Sequence, residues 1–361
     1  MMKKTTSALA IAALLGTGAA SAATFQINDT TTVGIGGAFY PFYTNTDDSD
    51  GNSVDGYGDA SRLIFTAEKA AVNGMTASLY YQLRPQNGLG DFASSDSVVD
   101  VTDDDEDETD TGVNRTENDA GVRTHVAHAT LSGDFGSVTY GKNDNLMYRY
   151  IDVLRDYNDA LVFSFSDAIT RGRVLTYASP DFDGFGFEIE SELAGDDETV
   201  KENTGNSSSV NVAAYADLDP VRVHAAYTAG DLQNSNSDGA FGLAAVTSID
   251  VVDLSAVYTK SQISQYSEPT GNDDPLPSGV SAGDRKDETI AGLYATTSYG
   301  FGSLQLGAQE VDVDGQSNRT EVIGRATYDI ADNVYTSLEY RSADKANDEG
   351  NGYAVSLWYG F

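Results

Sequence analysis

Thr76-Ala77-Ser78-Leu79-Tyr80-Tyr81-Gln82-Leu83-Arg84 decides the fold. Ala77, Leu79, Tyr81 and Leu83 share one parity, and Thr76, Ser78, Tyr80, Gln82 and Arg84 share the other. Strand side chains alternate faces with period two, so this segment is a strand with one apolar and one polar face. In a soluble sandwich the apolar face would be core. In a membrane barrel it meets lipid, and the polar face lines water.

The same alternation recurs along the chain. Leu63, Phe65 and Ala67 oppose Arg62, Thr66 and Glu68, and Val221, Val223, Ala225 and Tyr227 oppose Arg222, His224 and Thr228. Tyr353, Val355, Leu357, Tyr359 and Phe361 oppose Ala354, Ser356 and Gly360. Phe185, Phe187 and Ile189 oppose Glu188, Glu190 and Glu192. Three glutamates on one face do not fit a dry core, because buried unpaired charge costs too much, and a wet lumen accommodates them.

Such segments fall near 31–43, 60–69, 75–84, 121–131, 136–141, 173–179, 185–193, 209–217, 221–229, 240–248, 251–260, 289–299, 303–311, 320–330, 334–342 and 352–361. An even set of about 16 strands closes into a barrel wide enough for an aqueous channel. Connectors alternate in length. Short turns stand at 72–74, 133–134, 181–184, 218–220, 249–250, 300–302 and 331–333. Long, mostly acidic loops stand at 44–59, 85–120, 142–172, 194–208, 230–239, 261–288, 312–319 and 343–351. A membrane barrel has this rhythm, with short turns at one rim and long loops at the other.

The ends and the composition agree. Lys3 and Lys4, the apolar run Ala8 to Leu15 and the small residues Ala20-Ser21-Ala22 read as a cleaved export signal over 1–22, leaving one barrel domain over 23–361. No later segment approaches the run of about 18 apolar residues that a membrane helix needs. Cysteine is absent, so no disulfide framework is available. The formal net charge is −35, and loss of Lys3 and Lys4 lowers it by two more. That acidity excludes nucleic acid as a partner. The 21 tyrosines and 14 phenylalanines exclude disorder and suit the aromatic girdles of a barrel.

Several motifs now resemble the general porin family of Gram-negative bacteria. Ser61-Arg62-Leu63-Ile64-Phe65-Thr66-Ala67-Glu68 followed by Asn73-Gly74-Met75-Thr76-Ala77 looks like that family's second hairpin. Leu131-Ser132-Gly133-Asp134-Phe135-Gly136-Ser137-Val138-Thr139-Tyr140-Gly141-Lys142 is its strand-turn-strand signature, and Tyr177-Ala178-Ser179-Pro180-Asp181-Phe182-Asp183-Gly184-Phe185 also fits. The terminal Tyr359-Gly360-Phe361 resembles its assembly signal. The resemblance implies a trimeric, 16-stranded outer-membrane barrel whose third long loop folds inward. It implies as partners the lipid and lipopolysaccharide of that membrane, the barrel assembly machinery, and the small hydrophilic solutes and ions that diffuse through. No cofactor is implied.

A porin catalyses nothing, and its selectivity comes from width and from wall charge. The inward loop, 142–172, carries Asp144, Asp152, Asp156, Asp159 and Asp167. Of these, Asp156, Asp159 and Asp167 are expected at the constriction, although the Pro-Glu-Phe-Gly-Gly run of some relatives is missing. Arg62, Arg84 and His125 match basic wall positions of the family, and Arg123 shares the His125 face by parity. Arg325 and Arg341 also read as lumen-facing. A cation on the lipid face would cost about 2–4 kcal/mol at the midplane, which favours the lumen. Opposed acids and arginines would order water across the pore. The acidic loops would concentrate cations at its mouth. Asp103-Asp104-Asp105-Glu106-Asp107-Glu108 lacks a calcium-loop pattern, so no metal site is expected. Of the three histidines, His128 reads as lipid-facing, and none sits in a nucleophile motif, so no enzyme is expected. The rival expectation is a channel specific for an anion or a sugar.

Overall fold

The computed structural model describes residues 23–48, 50–85, 122–156, 160–161, 163–166, 171–193, 209–229, 239–264, 285–315, 317–344 and 350–361. The export signal expected at 1–22 lies outside them. The strand segments join into one continuous antiparallel sheet. Strand β1 runs Thr31–Phe39 and continues past Tyr40 as Pro41–Asp47, and β2 comprises Ser53–Asp59 and Arg62–Ala70. Then follow β3 (Thr76–Pro85), β4 (Val122–Gly133), β5 (Gly136–Asp144), β6 (Arg171–Ala178), β7 (Phe185–Glu192) and β8 (Ser209–Asp217). The second half is β9 (Val221–Ala229), β10 (Gly239–Ile249), β11 (Val252–Ser264), β12 (Arg285–Ser298), β13 (Ser303–Val313), β14 (Arg319–Ala331), β15 (Val334–Ala343) and β16 (Gly352–Gly360).

Each strand pairs with its sequence neighbour, and β16 returns to pair with β1, opposing Ser356 to Phe42 and Tyr359 to Phe39. The sheet therefore closes as a 16-stranded barrel with no free edge. A leading strand, Ala23–Asn28, pairs with β1 beyond the point where β16 ends. Phe361 exchanges two 3.0 Å backbone hydrogen bonds with Gly37 there. A Cβ at Gly37 would stand 2.8 Å from the Phe361 ring, so glycine lets the terminal ring lie flat on β1.

Burial is inverted relative to a soluble protein. On β16, Tyr353, Val355, Leu357 and Tyr359 are exposed, whereas Ala354, Ser356 and Trp358 are buried. On β12, outward Leu293 is 70% exposed while inward Tyr294 is 2% exposed. An apolar outer face is the solution lipid demands. The short turns use left-handed residues that tolerate positive φ, among them Asn73, Asp183, Asp250 and Asn333.

Two expectations need correction. The stretch 44–59 is not simply a loop, because Pro41–Asp47 pairs with Ser53–Asp59 as a hairpin. Its outward side chains are polar: the Tyr43 hydroxyl and the Asn45 amide donate to Asp55 at 2.5 and 2.8 Å. The ladder continues past the apolar band, where no lipid enforces alternation, so periodicity missed it. The second correction concerns β4. Gln82 pairs with Val126 but Leu83 pairs with Thr124, so His125 is an extra residue in a β-bulge. A bulge reverses parity. His128 is therefore opposite inward Tyr80, stacked on it at 5.5 Å, and is not lipid-facing.

Candidate functional site

The loop after β5 folds into the barrel. Asn145 caps a single turn, α1 (Leu146–Tyr150), by accepting from the Tyr148 N–H at 3.2 Å. Leu146, Met147, Tyr150, Ile151, Leu154 and Phe163 are buried against the inner wall, where Ala213, Ala226, Ala240, Ala244, Val257 and Ile323 face them. The alanines and the glycine of this wall are small for a reason. A Cβ at Gly242 would stand 2.8 Å from Ile151 Cγ1 and 3.0 Å from Met147 Sδ. The alternating alanines on the polar parity of β8 to β10 were the sequence signal for this landing surface, and it passed unread.

Polar anchors hold both ends of the loop. At one wall, Arg149 Nη2 bridges Glu188 at 2.9 Å and Glu190 at 3.2 Å, and the Tyr150 hydroxyl donates to Glu188 at 3.0 Å. Thr176 and Asn211 complete the Glu190 carboxylate at 2.8 and 2.9 Å. The three glutamates of β7 are thus not an open wet wall. They are 8%, 0% and 8% exposed: Glu188 and Glu190 lie under the loop, and Glu192 accepts from the Ser209 hydroxyl of the wall at 3.2 Å. At the far wall, Glu339 accepts from the N–H groups of Ala160 and Leu161 at 3.2 and 3.0 Å. Glu321 accepts from the Ser164 N–H at 2.9 Å and its hydroxyl at 2.6 Å. Within the loop, Arg155 pairs with Asp152, both fully buried. Burial pushes the Asp152 carboxyl up, and Arg155 opposes that shift. Glu321, Glu339 and Arg155 were missed, and Asp152, counted among the loop acids, was not expected in a buried pair. Their roles depend on which wall the loop meets, and spacing does not record that.

The basic residues stand mainly on the wall the described loop residues leave uncovered. Arg62 lies opposite buried Ala38 and places its guanidinium 5.0 Å above the Trp358 ring. Trp358 stacks on Tyr335 at 5.8 Å and 5°, and Arg325 covers the other ring at 5.7 Å. Four planar groups thus stack across β2, β16, β15 and β14. Arg325 also donates to the Tyr40 hydroxyl at 3.0 Å. Arg84 and Arg123 are directly opposed across β3 and β4, on the inward face of Tyr80 and Gln82. His125, the bulged residue, is 6% exposed. Arg341 comes within 3.7 Å of Glu321. Of the expected acids, Asp156 is half-buried and accepts from the Tyr148 hydroxyl, and Asp144 is buried at the end of β5. Asp159 and Asp167 lie outside the described residues. At the chain end, the outward Tyr359 ring is 52% exposed and Phe361 is 49% exposed.

This geometry narrows a water-filled barrel from one side and leaves an arginine-bearing wall on the other. Among the described residues no group of His, Asp and Glu is arranged to hold a metal ion. The Gram-negative porin family matches residues 5–348. The "Major outer membrane protein" of Halomonas elongata and a "Monosaccharide porin" of a Halomonas species are each 26% identical over the full length of both chains. Among solved structures, OmpF of Salmonella typhi superimposes with a TM-score of 0.63 at 17% identity, covering 94% of this chain and 100% of that one. The anion-selective porin of Comamonas acidovorans gives 0.62 at 15% identity, covering 92% and 100%.

Proposed function

Because this chain belongs to the Gram-negative porin family, a family of outer-membrane channels and not of enzymes, we propose that its pore passes ions and small hydrophilic solutes with a preference for cations. The observation that carries the sign is the pairing of four pore arginines, one on the loop and three on the wall. Arg149, Arg319, Arg325 and Arg341 each lie within 4 Å of Glu188, Glu190, Glu321 or Glu339. Those arginines are largely neutralised in place. The excess of 56 acids over 21 basic residues then sets the field at the mouth.

In this reading Arg62, Arg84, Arg123 and His125 form one side of the constriction, and Asp156, Asp159 and Asp167 of the loop form the other. Residues 1–22 direct export, residues 23–361 form the barrel, and Tyr359 and Phe361 present the assembly signal. The protein works as a homotrimer, in keeping with the trimeric OmpT of Vibrio cholerae among its structural relatives.

The test is the zero-current potential of single channels under a KCl gradient. Potassium preference that fades as salt rises is expected, since screening shortens the reach of the acidic field. Chloride preference at low salt refutes the sign and hands control to the arginine wall. A second reading, a sugar-specific channel, draws on the relative described as a monosaccharide porin. Saturable block of the ionic current by monosaccharides would favour it. The Trp358 stack offers it little help, because Arg62 and Tyr335 pack on the ring and leave Trp358 only 2% exposed.

A further inference from the structure

On the outer surface, the outward positions of β5 run Val138, Tyr140, Lys142 away from the short-turn rim. Those of β6 run Tyr177, Leu175, Arg173 in the same direction. Val138, Tyr140 and Leu175 are exposed apolar or aromatic side chains of the lipid-facing band. Toward the long-loop rim, just short of the ladder's last pair of Asp144 with Arg171, both apolar columns give way to a cation. The two are register partners, Lys142 directly opposite Arg173. Directly opposed like charges repel across a ladder. In so acidic a chain nothing in the fold requires this pairing.

Another lipid-side cation at that rim is handled differently. Lys260, facing outward on β11, has Asp287 at 2.8 Å. Among the described residues no carboxylate pairs with Lys142 or Arg173. Lys142 spends one donor on the Thr124 carbonyl at 3.1 Å, which holds its head beside the barrel wall. On the first hairpin, the outward carboxylate of Asp55 is already satisfied by Tyr43 and Asn45.

We infer that Lys142 and Arg173 form a binding site for the phosphate group of an outer-leaflet lipid. Side chains of directly opposed residues start about 5 Å apart. That spacing lets one tetrahedral anion accept from both heads, with Arg173 able to engage two oxygens at once. Tyr140 and Leu175 beneath supply the apolar surface for the acyl region, and the two long side chains reach up from it to the headgroup level. The bound phosphate removes the repulsion that the bare pair carries. The site rests on the outer-membrane reading but not on any property of the pore.

The test titrates the refolded full-length protein, in a neutral detergent at low salt, with lipopolysaccharide and with the same lipopolysaccharide after enzymatic removal of its phosphates. Binding to the intact lipid, weakened roughly tenfold or more in K142Q/R173Q and retained in K142R/R173K, is expected. The dephosphorylated lipid should bind the native protein as weakly as the intact lipid binds K142Q/R173Q. Equal affinity of native and K142Q/R173Q protein overturns the site. So does loss of the oligomer on semi-native gels with lipid binding unchanged, which would assign the pair to a neighbouring copy. Single-channel conductance of K142Q/R173Q is read in parallel. It stays native if the site is separate from the pore, so failure of the lipid site and failure of the channel reading are told apart.

Discussion

Replacing Arg149 by glutamine should undock the inward loop without opening the barrel. The Arg149 side chain, 14% exposed, is shared by the nearly buried Glu188 and the fully buried Glu190. Removing one partner of a buried ion pair costs about 3–5 kcal/mol, because the other charge is stranded. Here Glu190 keeps its bonds from Thr176 and Asn211, and Glu188 keeps that from Tyr150. The loss therefore falls at the lower end, about 3 kcal/mol. At about 1.4 kcal/mol per tenfold, that shifts the docking equilibrium roughly a hundredfold. The strand ladders do not involve Arg149, so heat-modifiable folding should persist. The assay is open-channel current noise in planar bilayers, together with protease sensitivity of the loop. R149Q should be noisier and more readily cut. The triple variant R149Q/E188Q/E190Q should recover most of the quiet, since it removes the stranded charges. Native noise and native protease resistance in R149Q would refute the anchoring argument, and failure of the triple variant to recover would refute its electrostatic basis.

Two further outcomes follow from particular contacts. Arg84 and Arg123 oppose each other across β3 and β4, so R123Q should strengthen potassium preference while leaving stability unchanged or higher by about 0.2–1 kcal/mol; weaker potassium preference would place Arg123 away from the ion path. Asp181, in the turn between β6 and β7, accepts from the Gly184 N–H at 2.9 Å and the Tyr215 hydroxyl at 2.7 Å, and these bonds hold its carboxyl below the usual carboxylate range. A depressed carboxyl stabilises the fold above its unfolded pKa and loses that contribution as pH falls through its folded one. Amide-exchange protection at Gly184 should therefore be high at neutral pH and drop in acid, and D181N should be low at both; protection independent of pH would refute the assignment.

The parity of Leu79 and Tyr81 against Tyr80 and Gln82 was legible because strand alternation is local: each side chain's face follows from its neighbour's. Repeated along the chain with alternating short and long connectors, it determined a membrane barrel of the observed strand number, and the chain's acidity determined the sign of the field to test. Non-local pairing decided the rest. Parity put Arg123 on the face of His125, and the bulge at His125 separates the two, so that Arg123 stands beside Arg84 on the inward face. A bulge is set by which residues meet across two strands, so one strand's sequence does not record it. The glutamates of β7 looked like wet wall because their partner, Arg149, arrives from a loop that first has to cross the barrel. The alanines of β8 to β10 acquire a role only where Met147 and Ile151 come to rest on them. Sequence determined what each strand shows to lipid. Only closure of the barrel around its own loop decided what each strand shows to the pore, because there the neighbours that fix burial and charge are far apart in the chain.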